Sequence, residues 1–79
     1  MINEEKSDGT FRLRIYRKSE LALLYFPGAS RPTALRNLHR WMERCEAIRE
    51  GLKALGYDKH RQYFLKPEVE LIVRYLGEP

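Results

Sequence analysis

Pro27, Gly28, Ser30 and Pro32 fall together in "FPGASRP", and no regular element can run through that stretch. Proline and glycine side by side end a helix. Ser30 can cap a new one, and Pro32 fits a first turn, where a missing N–H costs nothing. The chain must therefore place one element on each side of a turn. On the N-terminal side, "KSELALLYF" predicts a short helix over Glu20–Phe26. Ser19 is its expected N-cap, with Glu20 at the positive end of the dipole. On the other side the pattern predicts a longer helix from Arg31 or Pro32 to about Cys45.

The remaining elements follow from periodicity. Phe11, Leu13 and Ile15 alternate with Arg12, Arg14 and Tyr16, the period of a half-buried strand with the first three turned inward. A single strand needs a partner, and "RQYFL" near 61–65 is the other strand-like run. After Cys45 the apolar spacing continues through Ile48, Leu52 and Leu55, as one long helix or as two with a bend near Glu46. Gly51 weakens its interior and Gly56 closes it. Pro67 opens a last helix in which Val69, Ile72, Val73 and Leu76 share a face, and Gly77 stops it.

The fold class is thus mostly α. The expected architecture is a small helix-turn-helix-like domain of three or four helices. A short N-terminal strand would pair with the second strand near 61–65. With 79 residues there is room for one domain, residues 11–79, behind a flexible N-terminal arm, residues 1–10. The expected core is Leu21, Leu24, Leu35, Leu38, Trp41, Met42, Leu52, Leu55, Ile72 and Leu76.

Charge is unevenly placed. The net charge is +4. Residues 11–45 carry Arg12, Arg14, Arg17, Lys18, Arg31, Arg36, Arg40 and Arg44 against Glu20 and Glu43, and residues 46–79 balance to zero. A basic field concentrated on part of a small domain suits a polyanion. On a helical wheel of about 100° per residue, Thr33, Arg36, Asn37, Arg40 and Arg44 share one arc of the second helix. Ala34, Leu35, Leu38, Trp41, Met42, Cys45 and Ile48 fall on the opposite one. Arginine bonds guanine O6 and N7 in pairs, asparagine bonds adenine N6 and N7, and threonine contacts phosphate or a thymine methyl. Thr33, Arg36, Asn37 and Arg40 are therefore base-reading candidates for a helix over 32–45 in the major groove. Arg12, Arg14, Arg17, Lys18, Arg31 and Arg44 are phosphate candidates.

The residues "SELALL" and "TALRNLHRW" resemble the paired helices of excisionase-like and MerR-like domains, in which a lengthened turn separates "ELA" from "TLRRW". In the compact motif the turn has about three or four residues. Against Ala22 in the first helix, Gly28 and Leu35 come two or three positions late for it. Over nearly the whole chain, "YRKSELALLYFP", "LRNLHRWMERC", "LKALGY" and "VRYLGEP" resemble a family of short bacterial proteins described as a domain of unknown function, family four-two-four-eight. That resemblance implies architecture and length, and no activity.

Other classes fare worse. His39 and His60 lie far apart, and His39, Cys45 and His60 have no metal-ligand spacing. His39 and Cys45 point to different faces, so they form no nucleophile–base pair. The glycines are scattered and make no phosphate loop. No catalytic constellation, cofactor site, metal site or small-molecule site is expected. One cysteine, no secretory character in Met1–Glu5 and no membrane-length apolar run point to the cytoplasm. Phe11, Tyr16, Tyr63 and Phe64 near arginines raise single-strand stacking as a lesser reading. The expected function is that of a small accessory or regulatory protein that binds double-stranded DNA. The rival is a protein–protein adaptor or dimerisation module, since the last helix is apolar widely enough for a homodimer seam.

Overall fold

The structure is a computed structural model, and it describes residues 11–79. The expected arm, residues 1–10, lies outside the described residues. Strand β1 is Tyr16–Arg17, followed by helices α1 (Lys18–Tyr25), α2 (Arg31–Arg44) and α3 (Glu46–Ala54), strand β2 (Tyr63–Phe64) and helix α4 (Lys66–Leu76). The domain is mostly helical, with one two-stranded antiparallel ladder. Tyr16 faces Phe64 and Arg17 faces Tyr63. The Lys18 N–H extends the ladder to the Gln62 carbonyl at 2.9 Å. The pairing joins the entry of α1 to the entry of α4.

β1 buries the opposite face from the one expected. Tyr16 is 4% exposed, whereas Leu13 and Ile15 are 44% and 51% exposed. The larger aromatic ring takes the inner position because its polar end is satisfied there. The Tyr16 hydroxyl donates to the Arg12 carbonyl at 2.8 Å. Phe11 stacks on the same ring, with centroids 5.3 Å apart. The ladder is also much shorter than the alternation suggests.

α1 begins two residues earlier than expected, with Arg17 rather than Ser19 at the N-cap. The Glu20 carboxylate reaches back to the Arg17 N–H at 3.4 Å. Pro27 and Gly28 then turn the chain, as their chemistry requires. Ser30 caps α2 by accepting from the Thr33 N–H at 3.4 Å. The Cys45 backbone leaves the helical region, so α2 and α3 are separate helices. Neither proline nor glycine marks that break. It re-aims the chain so that Ile48 and Leu52 are buried. The Arg49 guanidinium donates back to the Glu43 carbonyl across it.

The core comprises Tyr16, Leu21, Ala22, Ala34, Leu38, Met42, Ile48, Leu52, Phe64, Val69 and Ile72. Leu35 and Leu76 pack against it half-buried. Leu24, Trp41 and Leu55, all expected inside, are exposed. On α1 the buried stripe follows Leu21 and Ala22, which rotates Leu24 outward. Leu55 lies beyond the last turn of α3. Trp41 stands at the edge of the buried stripe of α2, against Phe26 at 4.6 Å between centroids and Tyr25 at 6.1 Å. The Tyr25 hydroxyl donates to the Gly77 carbonyl and ties α1 to the end of α4.

Candidate nucleic-acid interface

Helix α2 carries the four base-reading candidates. Its inner stripe, Ala34, Leu38 and Met42, is buried. The helix is thereby held in one rotation about its axis, and that rotation turns Arg36, Arg40 and Arg44 to solvent. Thr33 and Asn37 are half-buried, Thr33 at the angle between Arg40 and Arg44 and Asn37 at the edge of the exposed arc. The first turn contains no acidic residue. Among the described residues, the guanidinium groups of Arg31, Arg36, Arg40 and Arg44 have no hydrogen-bond acceptor and no ion-pair partner. The ion pairs there join Arg14 to Glu20 and Arg61 to Glu68. Glu43 is the one acid on this face. It stands about 20° from Arg36 on the wheel, two turns further along, on the side away from Asn37.

The phosphate candidates divide into three groups. Arg12, Arg31 and Arg44 are exposed. Arg14 and Arg17 are already engaged. Arg14 pairs with Glu20 at 2.9 Å and lies 3.8 Å above the Tyr16 ring, and the carboxylate raises its pKa. Arg17 donates to Gln62 Oε1 at 3.3 Å and to the Tyr63 hydroxyl at 3.2 Å. Lys18 is turned inward. Its ammonium donates to the carbonyls of Asp58 and Lys59, each at 3.2 Å, and lies 4.4 Å from the Tyr57 ring centre. Burial and the nearby Arg61 lower its pKa. Lys18 therefore holds the 58–59 segment in place rather than facing a ligand.

Residues 12–79 match the family described as a domain of unknown function, DUF4248. The chain belongs to this family. The match begins at Arg12 and takes in every helix and both strands, so each base-reading and phosphate candidate lies inside the family's span. No curated protein and no solved structure matches the chain.

The sequence reading missed one group of polar residues. His39, Lys59, His60 and Gln62 line a shallow groove together with Arg17 and Arg61. His39 is on α2, and the others come from the segments flanking the ladder. A net charge of zero over residues 46–79 hid the local run "KHR", Lys59–Arg61. Partial desolvation, and then Lys18, lower the pKa of His39. Among the described residues no three His, Cys, Asp or Glu side chains gather as a metal site. No described helix is long and apolar enough to cross a membrane.

Proposed function

We propose that this protein binds double-stranded DNA as a small accessory or regulatory factor, with α2 in the major groove. The observation that carries the reading is the outward row of Arg36, Arg40 and Arg44 on a helix whose other face is locked into the core. Three arginines against the single acid Glu43 make this face strongly basic, and i,i+4 arginines repel one another unless an anion lies across them. An α-helix fits the major groove, and its N-terminal part reads the bases. Thr33, Arg36, Asn37 and Arg40 occupy that part. Arg31 and Arg44 stand at the two ends, suited to phosphate. The helix-turn-helix arrangement of α1, the Phe26–Ser30 turn and α2 belongs to this reading. Arg12 joins it as a flanking phosphate contact, and binding to two half-sites one helical turn apart would require a dimer.

The test is fluorescence anisotropy of a labelled random duplex, titrated with protein at two salt concentrations. Binding should weaken steeply with salt, with log K falling by about 0.9 per phosphate contacted for each unit of log salt. No binding at low salt would remove non-specific duplex affinity. It would favour the adaptor or dimerisation class, with a protein partner to be sought instead.

A further inference from the structure

The groove beside α2 is lined by Arg17, Lys18, His39, Lys59, His60 and Arg61, and no carboxylate lines it. Its volume is about 440 Å³. Leu35 and Ser19 complete the floor and the α1 side. Two acids of the neighbouring segments are already hydrogen-bonded. Asp58 accepts from the His60 N–H at 2.9 Å, and Glu68 accepts both arms of Arg61. Glu43 and Asp58 stand on the other side of His39, Lys59 and His60, where the same three residues line an adjoining groove.

Three contacts make the groove a built feature rather than a loop that happens to be basic. Lys18 holds the carbonyls of Asp58 and Lys59 from beneath, with both oxygens 3.2 Å from its ammonium. The ladder fixes the Gln62 carbonyl to the Lys18 N–H. Glu68 fixes Arg61 with two hydrogen bonds at 2.9 and 3.1 Å. The side chains of Lys59 and His60 project from this anchored segment into solvent. The Arg17 guanidinium is held by Gln62 and Tyr63, which leaves donors over, since arginine has five.

The groove lies beside the arginine face, with Glu43 between Arg36 and His39 on the wheel. His39 is its polar member from α2, and it stands about 60° from Arg36 and one residue before Arg40.

We propose that this groove, with Lys59 and His60 at its rim and Arg17 at its wall, takes a backbone phosphate of the same duplex that α2 contacts. The inference rests on the DNA-binding reading above. It names a second contact surface, on the 59–62 segment, that carries no base-reading role. Lys18 acts here as a positioning residue and Lys59 as the contacting one.

The experiment compares wild type, Lys59→Ala, Lys59→Arg and the pair Arg36→Ala with Arg40→Ala, on one labelled duplex across a series of salt concentrations. Circular dichroism confirms that each variant is folded. Lys59→Ala should weaken binding several-fold and make the slope of log K against log salt shallower by about 1, the signature of one lost phosphate contact. Lys59→Arg should restore both. If Lys59→Ala keeps the wild-type affinity and slope while the α2 pair loses binding, the groove proposal is overturned and the α2 reading stands. If wild type fails to bind the duplex at low salt, both fall together.

Discussion

Arg61 and Glu68 form a two-bond ion pair at 2.9 and 3.1 Å in which the Glu68 side chain is only 2% exposed. The same carboxylate accepts from the Leu65 N–H at 2.8 Å and so caps the start of α4. One buried side chain thus fastens the β2 end of the ladder, the Arg61 segment and the last helix. A buried carboxylate is stable only when its oxygens are this fully bonded.

Glu68→Ala should therefore destabilise the domain. The orphaned Leu65 N–H alone should cost about 1–3 kcal/mol. Glu68→Gln keeps an acceptor for that N–H and should lose less. Urea unfolding of the two variants checks the order, and an alanine variant as stable as wild type would show that the cap contributes nothing.

Leu38→Ala tests the packing that orients α2. Leu38 is fully buried, and truncating such a leucine costs roughly 2–5 kcal/mol. Trp41→Ala should cost less than its size suggests, because the ring is 39% exposed and touches mainly Phe26 and Tyr25. Denaturant midpoints for the two variants should fall in that order.

These two residues also show what was legible in the sequence. Ser30, Pro32 and the spacing of Ala34, Leu38 and Met42 mark the start, the length and the inner stripe of α2 without further information. Trp41 misleads because hydrophobicity ranks residues by type, while burial follows angle on the helix. Alternation in "FRLRIY" reports a strand but not which face is inward, and Tyr16 wins that place by its area and its bond to Arg12. The break at Cys45 has no proline or glycine to announce it. The groove was invisible for a different reason. His39 and Lys59 are brought together by the ladder and by Lys18, and both are long-range contacts.

Gly51 offers a balance of two opposed effects. A Cβ at this α3 position would stand 2.6 Å from Leu71 Cδ2 of α4. Alanine gains about 1 kcal/mol over glycine inside a helix. Moving Leu71 off its preferred rotamer costs of order 0.5–1.5 kcal/mol. Gly51→Ala should accordingly lie within about 1 kcal/mol of wild type. In a Leu71→Ala background the clash is gone, and Gly51→Ala should stabilise by about 1 kcal/mol. Equal effects in both backgrounds would mean that α3 and α4 do not meet at this pair.

Arginines of the same type should differ in binding according to their neighbours. Arg36→Ala and Arg40→Ala remove exposed cations with no acceptor among the described residues. Each should weaken duplex binding and make its salt dependence shallower, with little change in melting temperature. Arg14 is held by Glu20 and by the Tyr16 ring. Arg14→Ala should change binding less than either α2 variant. Anisotropy titrations of the three variants under one salt condition separate them, and a larger loss for Arg14→Ala would place the duplex on the wrong face.

His39 gives the fold a pH dependence with a definite sign. His39 is exposed, and partial desolvation, helped by repulsion from Lys18, holds its imidazole below the ordinary value of 6.5. The folded state then binds fewer protons than the unfolded state between the two pKa values. Stability rises with pH in that window, and it falls as pH drops from 6.5 toward the folded value. Glu20 acts in a separate, lower window. Arg14 holds its carboxyl below 4.5, so its contribution is present above 4.5 and is lost as pH falls through the folded value. Urea midpoints measured across neutral and mildly acid pH should decline below pH 6.5 in wild type. His39→Gln, which cannot titrate, should flatten that part of the curve and leave the lower decline in place. A wild-type slope that persists unchanged in His39→Gln would assign the mildly acid dependence to another group.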